Sequence, residues 1–225
     1  MDAIYRFDYS ILNYINENMH TPFFDKFFAI ITHLADAGWF WIALAVVLLC
    51  FKRTRKTGLV MGGALVLGLI FGNGILKPLI NRIRPYDNAA WDPIVTRATL
   101  LIKPPHDASF PSGHTLASFE GAFGIFLCNK KWGIPALVLA LLIAFSRLYF
   151  FIHYPTDVFG GLVLGIGFAV VSFCVMNVLK STRMTIGFPA TFHRPTLIRK
   201  PSWAALCRQD LNKRGSSINS GFCSV

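Results

Sequence analysis

The sequence predicts an all-α fold, a polytopic transmembrane bundle of five to six helices with an interfacial helix at its N-terminus. Three observations predict it. Hydrophobic residues fill 54% of the 225 positions and charged residues only 15%, more apolar than a soluble domain of this length needs. Uncharged runs of 19 residues (Gly58 to Leu76) and 22 residues (Val158 to Leu179) match the length that crosses a hydrocarbon core of roughly 30 Å. The strongly ionisable groups gather at the ends of such runs rather than within them.

Taken in order, Ile4, Phe7, Ile11, Leu12 and Ile15 recur at helical spacing, with Asp2, Arg6, Asp8, Asn13 and Glu17 elsewhere on the turn. This predicts an amphipathic helix over residues 1–21, lying in the membrane surface. The first residues carry acids and no basic n-region before an apolar stretch, so the spans themselves are expected to direct insertion. From Phe23 onward the chain is apolar but interrupted by Asp25, Lys26, His33 and Asp36. Gly38 to Phe51 reads as a span, Pro22 to Ala35 either crosses or lies in the surface, and Asp25, His33 and Asp36 mark helix ends near the interface. Gly113 to Cys128 is apolar apart from His114 and Glu120, and Trp132 to Ser146 is apolar up to Arg147. Glu120, inside a span, is expected to face the bundle or carry a proton. Trp39, Trp41, Tyr149, Phe150 and Phe151 read as an aromatic belt. Cys50, Cys128, Cys174, Cys207 and Cys223 form no CxxC pair and read as reduced.

Orientation follows from charge. Lys52-Arg53-Thr54-Arg55-Lys56 and Lys130-Lys131 fall on one side if Gly58–Leu76 and Gly113–Cys128 each cross once. The positive-inside rule makes that side cytoplasmic, so the reactive groups at the opposite ends are expected at the extracytoplasmic face of a cell membrane. Residues 22–180 form the expected transmembrane core. The tail, 181–225, holds seven basic residues against one acid, over half of the net +11, and reads as disordered. That charge suits anionic lipid and calls for no nucleic-acid partner.

Chemistry concentrates in three segments. Lys77, Asn81 and Arg84, spaced i, i+4, i+7, would share one helix face, with Pro78 in its first turn and Pro85 ending it. Two cations on one stripe suit a phosphate, although Lys77, Arg82 and Arg84 could also reach lipid headgroups. Pro111-Ser112-Gly113-His114 opens an apolar helix, where unpaired amides and the helix dipole favour an anion. His114 there could donate a proton to a leaving oxygen, or serve only as an interfacial residue at a capping turn. His153 stands four residues before Asp157, so a helical turn would bring carboxylate and imidazole together. A ring nitrogen freed in this way can attack phosphorus, and an Arg147–Asp157 ion pair is the plainer alternative. The long connection from Tyr86 to Phe110 reads as an irregular loop over the site, and its His106 and Asp107 lack the partners of a metal site.

Lys77-x6-Arg84-Pro85, Pro111-Ser112-Gly113-His114 and Ser146-Arg147-x5-His153-x3-Asp157 together resemble the signature motifs of the type 2 phosphatidic acid phosphatase superfamily, complete and in order over roughly residues 22–180. The resemblance implies a helical bundle and hydrolysis of lipid phosphates without metal or other cofactor. It makes His153 the nucleophile that becomes a phosphohistidine, Asp157 its partner and His114 the acid for the leaving group. Lys77, Arg84, Ser112, Gly113 and Arg147 become the phosphate cradle. Bacterial undecaprenyl pyrophosphate phosphatases are the members it resembles, with phosphatidylglycerol phosphate or phosphatidic acid phosphatase as the alternative. An inert lipid-binding protein would not need both histidines and Asp157, and a vanadate haloperoxidase, which shares the motifs, would not need the spans.

Overall fold

A computed structural model describes residues 2–91, 93–96 and 99–186, and the described residues form helices and loops without a strand. The basic tail beyond Ile186 lies outside them. Helix α1 spans Asp2–Asn18, α2 Pro22–Leu34 and α3 Trp39–Cys50. Helix α4, Arg55–Leu67, runs through a π-helical stretch, Gly68–Leu76, into a single further turn, α5, Lys77–Ile80. After the long loop come α6, Gly113–Cys128, α7, Lys130–Tyr149, and α8, Pro155–Ile186.

Local chemistry sets several of these limits. Thr21 caps α2 by accepting from the Phe24 amide at 3.2 Å, with Pro22 in the first turn. Asn129 caps α7 by accepting from the Lys131 amide at 3.1 Å. Between α2 and α3 a 3₁₀ turn, Asp36–Gly38, ends at Gly38 with φ 71°, a conformation a glycine adopts without a Cβ clash. The two helices meet there at 50°.

Helices α4–α5, α7 and α8 are each long and apolar enough to cross a membrane, and the bent α2–α3 pair qualifies as a fourth, broken span. Helix α6, at 16 residues, is shorter, yet it is central to the bundle, packed on α4 and α7. Its faces bury Leu116, Phe119, Ala122 and Ile125. Trp41 of α3 donates to Ser118 of α6 at 3.0 Å, and Ser172 of α8 donates to the Val60 carbonyl at 2.8 Å. Such bonds tie helices together where burial in lipid gives little net drive. Ile134, Val138 and Leu141 of α7 and Phe159, Val163 and Val171 of α8 point outward, as surfaces that hydrocarbon would cover.

The aromatic belt expected from the sequence is only partly formed. Trp39 is exposed, but Trp41, Tyr149, Phe150 and Phe151 are buried. The latter three join Tyr9, Leu12, Ile15 and Phe28 in a core beneath the loops. Helix α1 therefore docks on protein through Tyr9, Leu12 and Ile15, while Ile4 and Phe7 remain exposed. Asp8, which the helical pattern places on the polar side, is fully buried.

Candidate active site

The three motif segments converge where α5, the N-terminus of α6 and the α7–α8 turn meet. The first does not form the helical stripe its spacing predicts. Helix α5 ends at Ile80, and Asn81 turns the chain in the left-handed region with φ 42°, which asparagine tolerates. Residues 81–84 then run without helical structure. In such a segment alternate residues face one side, and here Ile83 is exposed while Arg82 and Arg84 turn inward. The proline after Arg84 disfavours helix at that residue, which favours the extended path.

Arg84 is buried. Its Nη1 donates to the Ile152 carbonyl at 2.8 Å and lies 3.2 Å from His153 Nε2. Arg147, also buried, reaches Thr32 Oγ1 at 2.5 Å, and its Nε has no partner among the described residues. Phe151 holds φ 57°, a strained conformation for a bulky residue, in the turn that delivers His153. His153 precedes α8 rather than belonging to it, and its Nδ1 is 3.7 Å from Asp157 Oδ2, an electrostatic contact longer than a hydrogen bond. Burial first, and then the charges of Arg84, Arg147 and Lys77, hold the His153 imidazole well below its ordinary value. It is neutral at pH 7, with Arg84 donating to Nε2 and Nδ1 turned towards Asp157.

Asp157 is fully buried and anchored independently of His153. Its Oδ2 accepts from Ser109 Oγ at 2.5 Å and from the Tyr154 amide at 3.1 Å, and its Oδ1 from Arg82 Nη1 at 2.6 Å. The Ser112 amide donates to the Asp157 carbonyl at 3.2 Å, fastening the second motif to the third. Ser112 Oγ is buried and accepts from Thr115 at 3.0 Å. The first intrahelical bond of α6 runs from the Leu116 amide to the Ser112 carbonyl, so the amides of Gly113, His114 and Thr115 precede the ladder. Gly113 and His114 line a cavity of about 730 Å³ together with Asn73, Lys77, Asn81 and Asp107. A Cβ on Gly113 would stand 3.6 Å from Lys77 Nζ, so glycine keeps that wall open rather than relieving a clash.

A model of the PAP2 superfamily matches residues 57–181. The chain belongs to that superfamily. It is 35% identical over 127 residues to an undecaprenyl-diphosphatase of Sulfolobus acidocaldarius, a match covering 56% of this chain and 58% of that protein. The fold is similar to the crystal structure of Aquifex aeolicus LpxE, with TM-score 0.63, 28% identity, 75% of this chain and 95% of that chain covered. It is also similar to a transmembrane PAP2 type phosphatidylglycerolphosphate phosphatase from Bacillus subtilis, with TM-score 0.60, 26% identity, 81% of this chain and 88% of that chain covered.

Two residues of this PAP2 site were not legible from the motifs. Arg82, which the sequence assigns to headgroups at most, bridges Asp157 to Asp8 of α1 at 2.7 Å and stacks over Tyr154, 3.9 Å from the ring centre. Asp107, in the loop, accepts from Lys77 and from Arg84 Nη2 at 2.6 Å, while its carbonyl takes Arg84 Nε at 2.8 Å. Burial would raise the Asp107 carboxyl, but the two cations hold it well below the usual carboxylate range. It is therefore an anion resting on the expected phosphate-binding side chains, and His153 behind it is 1% exposed. The sequence signal for Asp107 was its place two residues before Ser109 and four before Pro111, close to the second motif. Glu120 faces the bundle as expected: its carboxylate fills the space left by Gly68 of the π-helical stretch, and Oε1 has no partner among the described residues.

Proposed function

We propose that the chain is a membrane lipid phosphatase that hydrolyses undecaprenyl pyrophosphate or a related lipid phosphate through a phosphohistidine at the extracytoplasmic face. The observation that carries this reading is a buried His153 with Arg84 against Nε2 and Asp157 facing Nδ1, where Arg84 shares Asp107 with Lys77 of the cavity that His114 also lines. A neutral imidazole can attack the terminal phosphorus through the Nε2 lone pair once Arg84 Nη1, which holds it at 3.2 Å, turns to the incoming phosphate. The positive charge that a phosphoryl transfer needs comes from Lys77, Arg84 and Arg147, with the leading amides of α6 as further donors. As the bond to the bridging oxygen breaks, His114 gives that oxygen a proton. In the second step water attacks the phosphohistidine, its proton passes to His114, and the electron pair returns to His153.

The lipid substrate is supported by the exposed apolar helices beside the cavity and by the activity in the name of the Sulfolobus relative. The outward face is supported by the basic loops, which lie at the α3–α4 and α6–α7 connections, the ends opposite the site. Lys56 stacks on Phe173, in the half of α8 far from Asp157. The second reading, phosphatidylglycerol phosphate, has its support in the similarity to the Bacillus subtilis phosphatase.

The experiment is phosphate release from a panel of lipid phosphates by purified protein in EDTA. Undecaprenyl pyrophosphate is expected to turn over fastest, and His153→Ala to abolish both turnover and trapped phosphoenzyme. Activity that vanishes in EDTA and returns with a divalent metal, or an unchanged rate in H153A, would overturn the mechanism.

A further inference from the structure

Asp36 lies outside all three motif segments, in the turn that breaks α2 from α3. It nevertheless meets the site. Asp36 Oδ1 is 3.0 Å from His114 Nε2, and Oδ2 is 2.8 Å from Nδ1 of His33 at the end of α2. Ala35 and Gly38 line the same cavity as His114 and Lys77. The turn ending at Gly38 sets Asp36 against the first turn of α6, and a Cβ on Gly38 would touch Ala117 of that helix at 3.6 Å.

We propose that Asp36 is a positioning residue for His114, acting through that imidazole on departure of the leaving group. The inference rests on the reading of His114 as the acid. With Asp36 accepting at Nε2, the neutral ring keeps its proton there, and Nδ1 is left as the nitrogen that exchanges with substrate. In the imidazolium, both nitrogens carry protons and the carboxylate faces the positive charge. During phosphorylation His114 reacts as the imidazolium: its Nδ1 proton moves to the bridging oxygen as the P–O electron pair goes to it, the His153 Nε2–P bond forms, and the ring is left neutral with its proton at Nε2. During hydrolysis the water proton returns to Nδ1 as the P–N bond breaks. Asp36 stays ionised throughout, and His33 holds its second oxygen in place. Asp36 and His33 side chains are 54% and 63% exposed, so the pair adds little to stability and its effect belongs to the chemistry.

The test compares Asp36→Asn, Asp36→Glu, His114→Ala and the D36N/H114A double variant on an alkyl phosphate and on p-nitrophenyl phosphate, with rates referred to folded protein. An alkoxide is a poor leaving group and needs the acid; a nitrophenolate does not. D36N is expected to lose roughly 10- to 100-fold in kcat on the alkyl ester and much less on the aryl ester. The double variant should be no slower than H114A within about twofold, because both substitutions disable one proton transfer. D36E, which keeps the carboxylate, should recover part of the alkyl ester rate. Equal loss on both esters, a double variant slowed by the product of the single effects, or D36E as slow as D36N on the alkyl ester overturns the proposal. Leaving-group sensitivity in H114A without it in D36N overturns the role of Asp36 alone; its absence from H114A overturns the acid assignment and the proposal with it.

Discussion

Arg82 joins α1 to the catalytic-type carboxylate, and removing it gives a measurable consequence. Its guanidinium meets two fully buried carboxylates, Asp157 at 2.6 Å and Asp8 at 2.7 Å, and also donates to Thr156 Oγ1 at 2.7 Å. Arg82→Met keeps the length and the apolar stem and deletes the charge. Breaking a buried pair from one side costs about 3–5 kcal/mol, because the remaining carboxylate is left uncompensated in a medium that solvates it poorly. Asp8 also takes the Thr156 amide at 3.1 Å and Asp157 also takes Ser109, which softens the penalty at each but replaces neither charge. At roughly 2–4 °C per kcal/mol for a chain of this size, the Tm should fall by roughly 6–20 °C. Thermal unfolding of purified protein in detergent measures it. Adding Asp8→Asn to the variant should restore part of the loss, since one orphaned charge disappears. A Tm within about 2 °C of the parent would show that Arg82 is a surface cation answering to headgroups, and the account of α1 as an anchored helix would fail.

Asp107→Asn removes the anion that occupies Lys77 and Arg84, so inorganic phosphate or vanadate should inhibit more tightly, by roughly tenfold or about 1.4 kcal/mol; inhibition that is unchanged or weaker would show that the carboxylate organises the cradle instead of competing for it. The pH dependence of stability should carry a His153 component. Its folded value lies well below the ordinary one, so the unfolded chain binds the proton first and stability falls as pH drops below about 6.5, by about 1.4 kcal/mol per pH unit until the folded value is reached. Comparing Tm at pH 7 and pH 5 for the parent and His153→Gln checks this, and equal slopes would contradict a buried neutral imidazole.

What the sequence alone determined is what short-range physics controls. The long uncharged runs require helices in lipid, since an unpaired backbone there is too costly, and the helices found contain those runs. The resemblance of the motifs pointed to Lys77, Arg84, His114, Arg147, His153 and Asp157, and the fold brings these segments to one place. Spacing misjudged the conformation between Lys77 and Arg84, because periodicity describes a helix only where the backbone remains helical, and Asn81 and Pro85 bound a segment that does not. It also misplaced Asp8, Trp41 and Tyr149, whose burial depends on which neighbours cover them. The partnerships of Arg82 with Asp8, of Lys77 with Asp107 and of His114 with Asp36 join residues 74, 30 and 78 positions apart. No local pattern encodes such pairs. Arg82 and Asp8 pair because charges withdrawn from water must find counter-charges within a few ångströms, and for all three pairs only the packed arrangement of α1, the α2–α3 break and the long loop decides which groups are within reach.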